Sequence, residues 1–145
     1  MANAHDIANY ILKKQGRMTA MKLQKLVYYS QAWSLVWDDK PLFHDRIEAW
    51  INGPVLPHLY AVHRGMFDLK EWPRGNPENL SALQRETVDA VLEFYGDKST
   101  QWLSDLTHAE LPWRDARRGL APTERGDSEI TPAAMAEYYG SLSRV

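Results

Sequence analysis

MKLQKLVYYSQAWSLVWDDKPLF (residues 21–43), running on to RIEAWINGPVLPHLYAVHRG (residues 46–65), decides how this chain folds. Thr19 is a good N-cap, and residues 20–37 carry helical periodicity. Leu23, Leu26 and Val27 fall inward in the first turns, with Lys22 and Lys25 outward. From Leu26 onward Tyr28, Tyr29, Ala32, Trp33, Leu35, Val36 and Trp37 make the helix apolar on nearly every side, the pattern of a helix enclosed by other elements. Each large side chain buried contributes about 1.5–3 kcal/mol, so this helix is the expected spine. A polar turn at Asp38, Asp39, Lys40 and Pro41 follows. Residues 46–51 alternate, with Ile47, Ala49 and Ile51 on one side and Glu48 and Trp50 on the other, which reads as a short strand. Asn52, Gly53 and Pro54 form a corner in which Gly53 can supply positive φ. Pro57 suits the first turn of a helix over about residues 56–63, ended by Gly65.

Outward from this centre, Ile7, Ala8, Ile11 and Leu12 stripe a helix over residues 5–14, stopped by Gly16. Residues 68–72 are a second short strand. Ser81 caps a helix to Tyr95 with Leu83, Val88, Val91, Leu92 and Tyr95 inward. Ser99 or Thr100 caps another, bearing Trp102, Leu103 and Leu106, with Trp33 and Trp102 expected in the core. Pro112 opens a helix over residues 113–118, and Thr131 with Pro132 opens the last, where Met135, Tyr138, Tyr139 and Leu142 share a face. The expected fold is mainly α: one domain spanning residues 1–145, six to seven helices and a small two-stranded β element.

Composition narrows the function. The 145 residues hold no cysteine, which removes disulfides, thiolate metal sites and thiol nucleophiles. No apolar run approaches the roughly 20 residues a spanning helix needs, and the first residues lack a leader pattern, so the expected location is cytoplasmic with no membrane partner. Net charge is −2, with basic residues collected early: Lys13, Lys14, Arg17, Lys22 and Lys25 stand against Asp6 alone in residues 1–37. That reads as a solvated helix edge, or as a small patch for an acidic partner or phosphate backbone.

The chain carries none of the usual signatures of chemistry: no HExxH, no GxxxxGK[ST], no GxGxxG and no GxSxG. His58 and His63 are five apart, off the spacing of a helical metal pair. His44, Asp45 and Glu48 read as the acidic face of a strand in preference to an acid/base cluster. His108 reads as a helix C-terminal histidine, with Glu110 helping to cap the next helix. The expectation is a protein without enzymatic activity, metal or cofactor. Six tryptophans are the unusual feature. Trp50 and Trp72 lie in or beside extended segments with polar neighbours, and exposed Trp, Tyr and Arg anchor protein interfaces. Trp113 with Arg114, Arg117 and Arg118 is the place where base stacking and phosphate contacts would be sought, the weaker reading in a net-acidic half.

KLQKLVYYSQAW, PLF, IEAWINGPVLPHLY, LSDLTHAELPW and ITPAAMAEYY together resemble the Panacea antitoxin domain of SocA-like antitoxins and GepA-like phage-associated proteins, over residues 7–139. The resemblance implies a mostly helical antitoxin of a toxin–antitoxin system. It would neutralise a cognate protein toxin by direct binding, and alarmone-synthetase-like enzymes are among the toxins of the family. It also implies an alternative, an adaptor delivering the toxin to an unfoldase and protease of the ClpXP type. A nucleic-acid-binding regulator is the remaining reading, and an added DNA-binding segment is not expected within these 145 residues. Glu48, Trp50, Asn52 and Pro54, with Tyr60 and Arg64 on the following helix, are the candidate partner contacts, or else the framework of the corner. His108, Trp113 and Arg114 are secondary candidates.

Overall fold

The computed structural model describes residues 2–142. The helices are α1 (Ala4–Gln15), α2 (Ala20–Trp37), α3 (Pro57–His63), α4 (Ala82–Tyr95), α5 (Thr100–Ala109), α6 (Leu111–Ala116) and α7 (Pro132–Leu142). Four short strands complete it: β1 (Met18–Thr19), β2 (Glu48–Trp50), β3 (Gly53–Val55) and β4 (Asp68–Leu69). The fold is mainly α, with seven helices among the described residues. The strands form two separate antiparallel pairs, β1 with β4 and β2 with β3, where the sequence suggested one.

The spine is α2. Thr19 caps it, accepting a hydrogen bond from the Lys22 amide at 3.1 Å. Helices α1, α4 and α7 pack around it, and Leu23, Leu26, Val27 and Ala32 are sealed from solvent. Tyr29 stacks on Tyr95 of α4, ring centroids 4.2 Å apart and planes nearly parallel, and meets Tyr139 of α7 edge-on.

The spine also buries polar side chains, among them three long ones that a hydropathy pattern assigns outward or leaves unassigned, and each of these three binds the backbone of a passing segment. Gln31 donates to the Phe43 carbonyl at 2.9 Å and accepts from the Leu42 amide at 2.8 Å. Two turns earlier, Gln24 accepts from the Leu56 amide at 2.8 Å and donates to its carbonyl at 3.2 Å. Its amide nitrogen also faces His63 Nε2 at 2.9 Å, so that ring nitrogen accepts and the imidazole is neutral, as its burial favours. Lys25, expected outward, is the third: it is buried, and its ammonium donates to the Asn52 carbonyl at 3.2 Å. A lysine stem long enough to cross the core to an available carbonyl overrides the outward assignment.

Other expectations also change. Trp102 and Leu83 are more than two-fifths exposed, because α4 and α5 each present one face to solvent. Leu142 is exposed near the end of α7, and Trp33 is half-buried, its indole donating to the Tyr95 hydroxyl. Trp72 is buried instead of exposed, its indole donating to His5 Nδ1 at 3.2 Å. Glu110 caps no helix with its side chain: the carboxylate turns inward and accepts from Tyr29 and Tyr139, each at 2.7 Å. Two tyrosine hydroxyls in the core need an acceptor, and that demand outweighs the cap.

Candidate functional site

The corner of the sequence is a tight hairpin. Glu48 pairs with Val55, Ala49 with Pro54 and Trp50 with Gly53, so the turn itself is Ile51 and Asn52. Gly53 and Pro54, expected in the turn, belong to the returning strand. Gly53 has φ of 125°, outside the range of side-chain-bearing residues, and a Cβ there would stand 3.3 Å from the Lys25 amine and from Thr107 Oγ1. The hairpin lies that closely on α2 and α5.

The quoted sequence signatures converge beneath this hairpin. Lys25 holds the Asn52 carbonyl from α2. Trp113 of α6 donates its indole N–H to the Trp50 carbonyl at 2.8 Å. His108 stacks on Trp113 at 4.2 Å, and the Arg117 guanidinium lies over the same indole at 5.4 Å. Arg117 is buried and donates to the carbonyls of Ala49, Ala121 and Glu124. Of the secondary candidates, His108 and Trp113 thus support the hairpin from below, and Arg114 is exposed on α6. Burial lowers the basicity of both His108 and Lys25, the latter to about 8.

Above the hairpin is an open cleft of about 650 Å³. It is lined by Trp50, Asn52, Tyr60 and Arg64, by Met21 of α2, and by Arg125 and Asp127. Trp50 and Tyr60 meet edge to face at 4.9 Å. Arg125 and Asp127 belong to a strap that runs beside β2: the Ala49 amide donates to the Ser128 carbonyl at 2.9 Å and the Ile130 amide to the Ile47 carbonyl at 2.8 Å. Arg46 ties it down through Glu129 and the Asp127 carbonyl.

Four of the six primary candidates therefore share one cleft. Pro54 is buried in the hairpin. The Glu48 carboxylate is engaged, one oxygen by Arg46 and the other by the Trp50 indole, each at 2.8 Å. Met21, Arg125 and Asp127 were not among the candidates. Met21 looked like an ordinary helix residue, and nothing local to residues 125–127 signals that a strap returns them to a hairpin some 75 positions earlier in the chain.

The polar residues weighed as an acid/base cluster are divided. Asp45 pairs with His58 at 2.6 Å and accepts from the Ala4 amide, Glu48 turns to Trp50, and His44 is exposed. Among the described residues no group of three or more His, Asp or Glu is placed to hold a metal, and no helix is long and apolar enough to cross a membrane.

Comparison with known families places residues 23–114 in the family described as antitoxin SocA-like, Panacea domain. The match covers more than half of the chain, and the chain belongs to that family. It takes in the spine from Leu23 onward, the hairpin, α3 and the bracing Trp113, and stops before the strap and α7. No curated protein and no solved structure matches the chain.

Proposed function

We propose that this Panacea-domain protein is the antitoxin of a toxin–antitoxin pair, acting in the cytoplasm by docking its cognate protein toxin on the cleft beside Trp50. The observation that carries the reading is the family membership combined with what the family-matched residues do here. Gln24, Lys25, His108 and Trp113 are occupied in holding the hairpin and α3 in place, while Trp50, Asn52, Tyr60 and Arg64 face solvent in the cleft. Rigid aromatic and arginine side chains around a concavity are the composition of an interface anchor, and a braced backbone loses little freedom on binding.

The reading is of a binding protein and not an enzyme. The ionisable groups in the interior serve structure: Lys25 holds a backbone carbonyl, Glu110 accepts from two tyrosines and His63 accepts from Gln24. Inhibition is read as steric, so the toxin's half-life in the cell is the same with and without this protein. A shortened half-life would favour delivery to a protease instead.

The test is growth. The open reading frame adjacent to this one is expressed from an inducible promoter, with and without this chain. Arrest that is relieved by the wild-type chain, together with co-purification of the two proteins, is the expected result. Arrest that persists, with no complex recovered, contradicts the reading.

A further inference from the structure

We propose that the cleft receives an acidic segment of the partner protein, with Arg64 and Arg125 gripping its carboxylates and Trp50 and Tyr60 packing an apolar residue next to them. This rests on the reading above that the cleft is the docking face, and it adds the chemistry of the occupant.

Arg46 is engaged by Glu48 and Glu129, Arg117 by three carbonyls, Arg118 by Asp115 and Arg85 by Glu78. Arg64 and Arg125 are exposed and take part in no ion pair or side-chain hydrogen bond among the described residues. Glu48 of the hairpin does not line the cleft, and its two oxygens face Arg46 and Trp50. Asp127 alone stands against two guanidinium groups in the cleft wall. The cleft is left with an excess of positive charge in a chain whose net charge is −2. Guanidinium groups match carboxylates through paired N–H donors, and the planar fork loses less freedom per bond than an ammonium.

The walls suit such a grip. The strap carrying Arg125 is fixed by its backbone pairing to β2 and by Arg46. Arg64 follows directly on α3, whose preceding Leu56 is clamped by Gln24. Both cations therefore sit on positioned backbone. Tyr60 offers a hydroxyl with no hydrogen-bond partner among the described residues, next to the apolar faces of Trp50 and Met21. A carboxylate with an aromatic or aliphatic neighbour satisfies both halves of this surface. A nucleic-acid strand would meet the same cations but also the Asp127 carboxylate, without a run of cations to follow its backbone.

The test uses the full chain, immobilised, to select from a random short-peptide display library, in parallel with the double variant R64E/R125E. Both positions are exposed, so the variant is expected to keep the wild-type circular dichroism and unfolding midpoint; if it does not, R64Q and R125Q replace it. The expected result is enrichment of peptides that place Asp or Glu beside an aromatic or aliphatic residue, binding about tenfold or more weakly to the variant and weakening with added salt. Enriched peptides without acids, no enrichment, or equal binding to the variant would overturn the proposal. So would a single-stranded RNA oligonucleotide that binds wild type and not R64E/R125E. Growth relief separates this from the antitoxin reading. If wild type and R64E/R125E relieve arrest equally, the clamp is wrong and the antitoxin reading stands. If wild type fails to relieve arrest yet selects acidic peptides, the clamp stands and the antitoxin reading falls.

Discussion

Lys25 of the spine helix donates to the carbonyl of Asn52 at the tip of the hairpin, 3.2 Å away, from a position only 1% exposed. A buried ammonium without a carboxylate partner is costly, and the amine is pushed down to about 8. The hairpin that carries the cleft is thus held by a group the fold would rather keep neutral.

The sign of the resulting pH dependence follows. The folded chain releases the Lys25 proton near pH 8 and the unfolded chain only near its ordinary value of about 10.4. Between these values the unfolded state binds more protons, so stability rises with pH. The gain from pH 7 to 9.5 is about 2 kcal/mol. Above pH 10 the trend reverses, because Tyr28, Tyr29 and Tyr139 are held protonated by burial and the unfolded state ionises first. Denaturant melts across this range should show the rise in wild type and its absence in Lys25→Met, a variant of similar shape.

Glu110 makes the opposite prediction in acid. Burial raises its carboxyl despite the bonds from Tyr29 and Tyr139, so the folded state binds its proton first as pH falls. Its contribution to stability grows from neutrality down towards the unfolded value of about 4.3. Glu110→Gln keeps an oxygen acceptor, removes that pH dependence and changes neutral stability by about 1 kcal/mol or less. Glu110→Ala leaves the buried Tyr29 hydroxyl without a partner and Tyr139 with Tyr28 alone, and costs about 3 kcal/mol. Unfolding midpoints at neutral and mildly acidic pH distinguish the two variants.

Most of the helical frame was legible from the chain itself, because helix caps and apolar spacing are local: Thr19, Ser81 and Ser99 each accept from the amide three residues on. What was not legible depends on partners far away in sequence. Lys25 reads as a surface residue until the Asn52 carbonyl is brought over it, and Glu110 reads as a cap until α7 delivers Tyr139. Part of the cleft was legible, since Trp50, Asn52, Tyr60 and Arg64 are linked by one hairpin and its helix. The strap was not, since its pairing to β2 is made by backbone groups that leave no trace in side-chain pattern.

Arg117 is the anchor of that strap, and its loss should be felt locally. Arg117→Met removes donors from the carbonyls of Ala49, Ala121 and Glu124 at a cost of about 2–3 kcal/mol. Amide hydrogen exchange at Ala49 and Ile130 should accelerate ahead of the core amides of α2, because the strap opens as its own unit.

Trp50→Ala should weaken capture of the toxin by about 2 kcal/mol or more, the loss expected of a central aromatic anchor. Trp102→Ala, on the exposed face of α5, should leave affinity unchanged. Titration calorimetry of both variants against the toxin checks the contrast.

The most direct measurement is hydrogen–deuterium exchange of this chain alone and in complex with the toxin that it rescues cells from. Docking on the cleft predicts protection concentrated in residues 48–64 and 124–128, with α4 and α5 unchanged. Protection confined to the Phe94 and Trp102 face, with the hairpin and strap exchanging as in the free chain, would contradict it.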